Sequence, residues 1–398
     1  MTGEDDRFKS AFTPEQRAGV TLANWRLPEQ AAWAFQNVRE IVPTALVRAG
    51  DALPFVEAPR DVGSCLVGSA TAPEETFDAV MAQTWTSGVV VLHRGALVHE
   101  WYRVLGSRDA EHLLFSVSKS ITALLAGQLV GDGLLDCDAT IATYLPEVAG
   151  SAYEDATVRH VLDMTVSSPF DESYLNVDGD YARYRAATGW NPMIAGPEGG
   201  MNTFLTSMPR GKAPHGAEVH YLSPNSDLLG WVIERVTGRR YADLLSERLW
   251  QPCGAQDSAS VTVDAFGAPR TAGGVSATVR DLARLGELVR CEGRVGLRQV
   301  VPQEWIADLF AQHDRSAWLA GDMATLFPEG NYRSKWYQTG ATPCAICAIG
   351  IHGQWLFVDR ERELVIARTA AQPEPVDEAL DHLHVAAFDA MADAVAGA

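Results

Sequence analysis

Ser116 and Lys119 stand three residues apart in LLFSVSKSITALLAGQLVGDG (113–133), an apolar stretch in which the lysine is the only formally charged residue from Phe115 to Gly131. Residues at i and i+3 of a helix share a face, with Cβ atoms about 5–6 Å apart, so the two side chains can meet. A serine at a helix start lies among unpaired N–H groups and the positive end of the dipole, which favour an alkoxide or a developing oxyanion. An ammonium in apolar surroundings loses hydration, and its pKa falls toward the range where it can accept a hydroxyl proton. The alternative is structural: Ser116 as an N-cap and Lys119 extending to solvent.

A second proton carrier is available in VHYLSPNSDLLGWVIERVTG (219–238), where Tyr221 precedes a polar turn and an amphipathic helix. A phenol beside an ammonium can have its pKa lowered enough to relay a proton, although a tyrosine in this setting also suits a core. A third feature is AIGIHGQWLFV (348–358), an apolar strand interrupted by His352 and Gly353. Glycine in a strand marks close approach by another group, and a strand edge offers N–H donors to an oxyanion; a β-bulge with a satisfied histidine is the bland counterpart.

Other chemistries find less support. There is no G-x-S-x-G elbow, and GGVSAT from Gly273 lacks the last glycine, so an α/β-hydrolase is disfavoured. No H-E-x-x-H is present, His99-Glu100 is isolated, and the ten histidines show no ligand spacing. His382 and His384 fall on a C-terminal helix and read as surface residues. Cys344 and Cys347 have redox or zinc spacing but lie in a small apolar run without a second pair. No glycine-rich phosphate loop follows a strand, so neither metal nor cofactor is expected.

These residues need elements to position them. Residues 1–21 read as a flexible tail and 28–41 as a first helix. Residues 88–102 read as a hairpin turning at His93-Arg94-Gly95. The helix that carries Lys119 should run from Val117 to about Val130 and stop at Gly131-Asp132-Gly133. Another should span Asp227–Val236, capped by Asn225 or Ser226 and ended by Gly238. Residues 346–368 read as two strands around 359–363, and 376–395 as a closing helix. Strands near both ends with helices between predict an α+β fold, in which 22–135 and 270–398 form a sheet-containing domain and 136–269 a mainly helical one, with the site in the cleft between them.

Composition narrows the partners. With 32 Lys plus Arg against 51 Asp plus Glu, the net charge of −19 and the lack of any basic patch argue against nucleic acid and anionic membrane. A small molecule is the expected partner, and a homodimer is compatible with the sequence. The acidic start MTGEDDRFKS without an apolar run, and six scattered cysteines, predict a cytoplasmic protein with reduced thiols.

The order S-x-x-K, then a tyrosine motif about a hundred residues on, then a Lys/His-Gly strand resembles the penicillin-recognising serine hydrolases. Within them the chain is similar to the 6-aminohexanoate-dimer (nylon-oligomer) hydrolases. The resemblance covers roughly residues 22–370 through NWRLPEQAAWAFQNVREIVP, HLLFSVSKS, YLPEVAGS, VLDM, NSDLLGWVIERVTGRRY, GGVSATVRDLARLG and GIHGQ. It implies a β-lactamase/transpeptidase-like fold, an antiparallel sheet flanked by helices with an inserted helical domain.

The resemblance further implies Ser116 as nucleophile, Lys119 as its proton acceptor, Tyr221 as acid/base, and the N–H groups of Ser116 and Ile351 as the oxyanion site. Tyr174 in FDESYLN matches a residue that contacts the scissile amide, and Trp190, Trp336 and Tyr337 match aromatic positions lining the cleft; His352 and Asn225 complete the expected substrate contacts. The chain has Tyr221-Leu-Ser-Pro-Asn225 instead of Tyr-x-Asn, His352-Gly353-Gln354 instead of Lys-Thr-Gly, Arg185 where an acid would meet a substrate ammonium, and Ala272 in place of a polar residue. An esterase/amidase forming an acyl-enzyme is therefore expected ahead of a β-lactamase or D-amino-acid peptidase, and ahead of a catalytically silent ligand sensor.

Overall fold

The structure, a computed structural model, describes residues 13–68, 74–103, 106–192, 199–340 and 345–397. Its strands are β1 (Thr44–Val47), β2 (Val56–Glu57), β3 (Thr86–His93), β4 (Ala96–Tyr102), β5 (His112–Leu113), β6 (Ala259–Thr262), β7 (Val275–Ala277), β8 (Asn331–Arg333), β9 (Trp336–Gln338), β10 (Ala345–Gly350), β11 (Gln354–Asp359) and β12 (Leu364–Ala370), besides two minor two-stranded ribbons. Eight form the main sheet in the order β8-β9-β10-β11-β12-β3-β4-β2, and four form a smaller antiparallel sheet, β1-β6-β7-β5. In the main sheet β12, from the far end of the chain, pairs antiparallel with β3.

Strand β3 is buried along its whole length, so it reads as a run of valines and not as an alternating pattern. Alternation survives in direction. Val89 and Val91 join an apolar cluster with Phe77, Val80, Phe388 and Met391, while Val90 and Leu92 join one with Leu282 and Leu285. The helices carrying these partners include α3 (Val279–Arg290) and α4 (Glu378–Gly397). The β3–β4 hairpin turns at Arg94 and Gly95 with φ of 52° and 78°, the left-handed pair that a two-residue turn requires.

Helix α1 (Val117–Gly131) is buried all round, its few polar side chains included, and it stops at Asp132 with Gly133 at φ 71°. Helix α2 (Ser223–Thr237) begins a turn before the expected start, with Pro224 in its first turn, and ends as expected at Gly238, φ 64°. Asn225 and Ser226 are thus inside the helix and are not its caps.

Other expectations are corrected. The segment 28–41 is a helix only over Pro28–Ala34, followed by a 3₁₀ turn at Val38–Glu40. Of the expected flexible tail, residues 1–12 lie outside the described residues. Pro14–Ala18 is a helix closed by a Thr13–Gln16 capping box, and Arg17 pairs with Glu40 at 2.8 Å. The two strands expected over 346–368 are three, because His352 (φ 62°) and Gly353 (φ 87°) turn the chain between β10 and β11. His384 is fully buried between Trp355 and Phe388, contrary to its surface reading. Strand β6 falls within 136–269 yet pairs with β1 and β7. One apolar cluster joins Leu228 and Val232 of α2 to Leu124 of α1 and to Val90 and Val365 of the main sheet. Among the described residues no helix is long and apolar enough to cross a membrane.

Candidate active site

Phe115 has φ 44°, a left-handed backbone that costs a bulky residue on the order of 1–3 kcal/mol and presents the next residue at a sharp bend. That residue is Ser116. It occupies the N-cap position of α1, but its side chain caps nothing. Its Oγ instead accepts a hydrogen bond from Lys119 Nζ at 2.7 Å, one helical turn on.

Lys119 is 1% exposed, so its amine does not extend to solvent. Nζ also donates to Ala272 O at 2.7 Å. The Ala272 N–H in turn donates to Asp227 Oδ1 at 2.7 Å, and Asp227 is ion-paired with Arg270. Burial pushes the Lys119 amine down to about 7, against the opposing pull of the Glu172 carboxylate. A neutral amine held this way keeps one hydrogen on Ala272 O and turns its lone pair to the serine hydroxyl.

Tyr221 lies with its ring centroid 5.0 Å from Lys119 Nζ, and its hydroxyl is partnered by those of Ser116 and Tyr337. The lowering of its pKa expected from the neighbouring amine is reversed. Burial, then the negative charge of Glu172, pushes the phenol well above its ordinary range. The phenol of Tyr221 is therefore held in its protonated form.

At the end of β10, a Cβ on Gly350 would stand 2.5 Å from Leu114 O, so only glycine permits the strand to approach the segment before Ser116 this closely. The approach brings Ile351 beside it. Among the described residues, no carbonyl or side chain accepts the N–H of Ser116 or of Ile351, leaving both as donors for an oxyanion. His352 packs on Phe115 at 5.2 Å between ring centroids, its Nδ1 lies 2.7 Å from Gln372 O, and burial holds its pKa down to about 4. It is a neutral wall residue.

A cleft of about 590 Å³ opens beside Ile351 and His352, bordered also by Arg26, Tyr174, Tyr181, Arg185 and Trp190; Ser116, Lys119 and Tyr221 are not among the residues that line it. Two of its walls, Trp190 and His352, pack directly on Phe115.

The sequence profile of the β-lactamase family matches residues 74–390. The chain belongs to the β-lactamase family. It is 35% identical over 356 residues to the 6-aminohexanoate-dimer hydrolase of Paenarthrobacter ureafaciens, covering 89% of each chain. It is 27% identical over 213 residues to the lovastatin esterase of Penicillium rubens, covering 46% of this chain and 51% of that one. Among solved structures, a candidate 6-aminohexanoate-dimer hydrolase from Bacillus anthracis superposes with a TM-score of 0.87 at 22% identity, over 97% of this chain and 99% of that one. As a member of the β-lactamase family the chain is a hydrolase, and an acyl-enzyme on serine is the mechanism typical of that family.

Against this family background, the expected substrate contacts divide. Tyr174 and Trp190 border the cleft, the first donating its hydroxyl to Glu172 Oε1 at 3.2 Å and the second its indole N–H to Thr262 Oγ1 at 3.0 Å. Tyr337 is buried against Tyr221. Trp336 is not at the cleft: it is 1% exposed within the main apolar cluster, because β9 alternates and presents only Tyr337 to Tyr221. Asn225 is fully buried and accepts from Tyr153 Oη at 3.0 Å, so it serves the packing of α2 and not a substrate. Cys344 lies outside the described residues, and Cys347 is a buried residue of β10. Among the described residues, no cluster of His, Cys, Asp and Glu could hold a metal ion.

The β-lactamase-family site also depends on residues the sequence did not single out. Glu172 accepts both the N–H and the hydroxyl of Ser223 at 2.5 Å, closing the N-terminus of α2 beside Tyr221. The buried Asp227–Arg270 pair anchors the loop on which Lys119 rests. Lys335, a second buried lysine, donates its Nζ to Val161 O, and its carbonyl accepts from Ser120 Oγ at 2.6 Å. Glu172 sits two residues before Tyr174 in FDESYLN and Asp227 stands at the expected start of α2, while no pattern in the sequence marked Arg270 or Lys335.

Proposed function

We propose that this hydrolase cleaves short-chain carboxylic esters, and more slowly linear amides such as 6-aminohexanoate oligomers, through an acyl-enzyme on Ser116. The observation that carries the reading is the 2.7 Å contact between Ser116 Oγ and a buried amine whose pKa is held near 7. Lys119 takes the serine proton as Oγ attacks the carbonyl carbon. The oxyanion that forms lies between the N–H groups of Ser116 and Ile351. Tyr221, still protonated, gives its proton to the departing oxygen or nitrogen, and water then releases the acyl group by the reverse sequence. Esters should react faster because an alkoxide leaves more readily than an amine. The names of the relatives, a 6-aminohexanoate-dimer hydrolase and a lovastatin esterase, accord with a hydrolase of this kind. The cytoplasm is the location we propose, since the five described cysteines are free thiols, which a reducing compartment preserves.

The test is hydrolysis of p-nitrophenyl butyrate. Ser116→Ala should lower kcat by roughly a thousandfold or more and abolish labelling by a fluorophosphonate; wild-type rates in that variant would refute the mechanism. Tyr174→Phe should slow amide turnover more than ester turnover, and equal losses would remove it from the leaving group.

A further inference from the structure

The cleft holds two guanidinium groups for which the reaction just described has no use. Arg26 is fixed by donating to Trp190 O at 2.9 Å and to Asn191 Oδ1. Arg185, on the helix Asp180–Ala187, rests over the Tyr181 ring at 4.9 Å with its Nε buried and unpartnered. Among the described residues no carboxylate pairs with either, although most other arginines of the chain do have one and acids outnumber bases by 51 to 32. Glu374, the single carboxylate bordering the cleft among the described residues, is exposed and bonds to neither. The two cations also repel: burial and then Arg185 hold Arg26 down to about 9. Leaving two like charges unpaired by any carboxylate, against the faces of Tyr181 and Trp25, has an energetic cost that an anionic ligand would remove.

Resting on the hydrolase reading, we propose that the cleft selects substrates bearing a carboxylate at the end remote from the scissile bond, and that Arg185 receives it as a two-point guanidinium–carboxylate contact, with Arg26 as the fixed second positive charge. The ester or amide is then a half-ester or half-amide of a dicarboxylic acid, or carries its acid on the leaving group.

The test compares matched pairs. Mono-p-nitrophenyl adipate against p-nitrophenyl hexanoate places the carboxylate on the acyl chain; 4-butyryloxybenzoate against its methyl ester places it on the leaving group. In one arm the charged member should have a kcat/KM about tenfold higher or more, carried mainly by KM and shrinking as salt is raised. Arg185→Leu should collapse that ratio and Arg185→Lys should keep part of it. A binding measurement separates this proposal from the catalytic one: adipate titrated into Ser116→Ala should bind, and should not bind once Arg185→Leu is added. Adipate binding in a protein that hydrolyses nothing would leave the carboxylate site standing while the acyl-enzyme reading fell. Equal kcat/KM within both pairs together with no adipate binding, or equal losses for charged and neutral members in Arg185→Leu and Arg185→Lys, would overturn it.

Discussion

In the proposed mechanism, an amine held near 7 ties turnover to pH with a definite sign. Below that value Lys119 is an ammonium and cannot accept the Ser116 proton; above it the base is free. We expect kcat/KM for a neutral ester to rise between pH 6 and 8 and then level, because the phenol of Tyr221 stays protonated well beyond that range. The Glu172 carboxylate favours the ammonium, so Glu172→Gln should move the midpoint to lower pH by up to about one unit; a midpoint that stays put or moves up would show that Glu172 does not act on Lys119. The pairing of Ser116 with Lys119 was legible because three-residue spacing on a helix is a local matter. The protonation of Tyr221 was not, since Glu172 lies 51 residues from its Ser223 partner and Asp227 lies 43 from Arg270. Trp336 and Asn225 were misplaced for a related reason: matching a position identifies a residue but not the direction it faces.

At the level of elements, the β10–β11 hairpin carries Ile351, the proposed oxyanion donor, and its approach to Leu114 leaves no space for a methyl group at Gly350. Gly350→Ala should push the hairpin back and lower kcat by roughly ten- to a hundredfold with a smaller change in KM, the circular dichroism spectrum remaining that of the parent. Unchanged kcat would remove Ile351 from the oxyanion site. Helices with clear punctuation, such as α1 and the end of α2, were readable. The hairpin read as one strand interrupted at His352-Gly353, because apolar residues run on either side and two successive residues in left-handed conformation leave no periodic trace. The start of α2 was missed because its cap is supplied by Glu172 in another segment and not by its own Asn225 or Ser226.

Across the whole molecule, the Asp227–Arg270 pair joins α2 to the loop before β7, and Tyr184 of the helix Asp180–Ala187 bonds to both. Both charges are buried, so removing one leaves the other uncompensated. Asp227→Ala should cost about 3–5 kcal/mol in chemical unfolding and also slow hydrolysis, because the Ala272 carbonyl that steadies Lys119 loses its anchor. A variant as stable and active as the parent would count against this linkage. The α+β class was legible from strands at both ends of the chain, while the register that places β12 beside β3 was not, since no local pattern encodes a partner so distant.

That neighbouring placement of β12 and β3 has a consequence for biosynthesis. Arg368 and Thr86, hydrogen-bonded across the two strands, are 282 residues apart. At a ribosomal pace of about 5–20 residues per second, the valine-rich β3 waits roughly a quarter of a minute to a minute after its own synthesis before its mate exists. A nascent chain carrying so sticky a ribbon for that interval is a natural client for holding chaperones, and its yield in a heterologous host should depend on them.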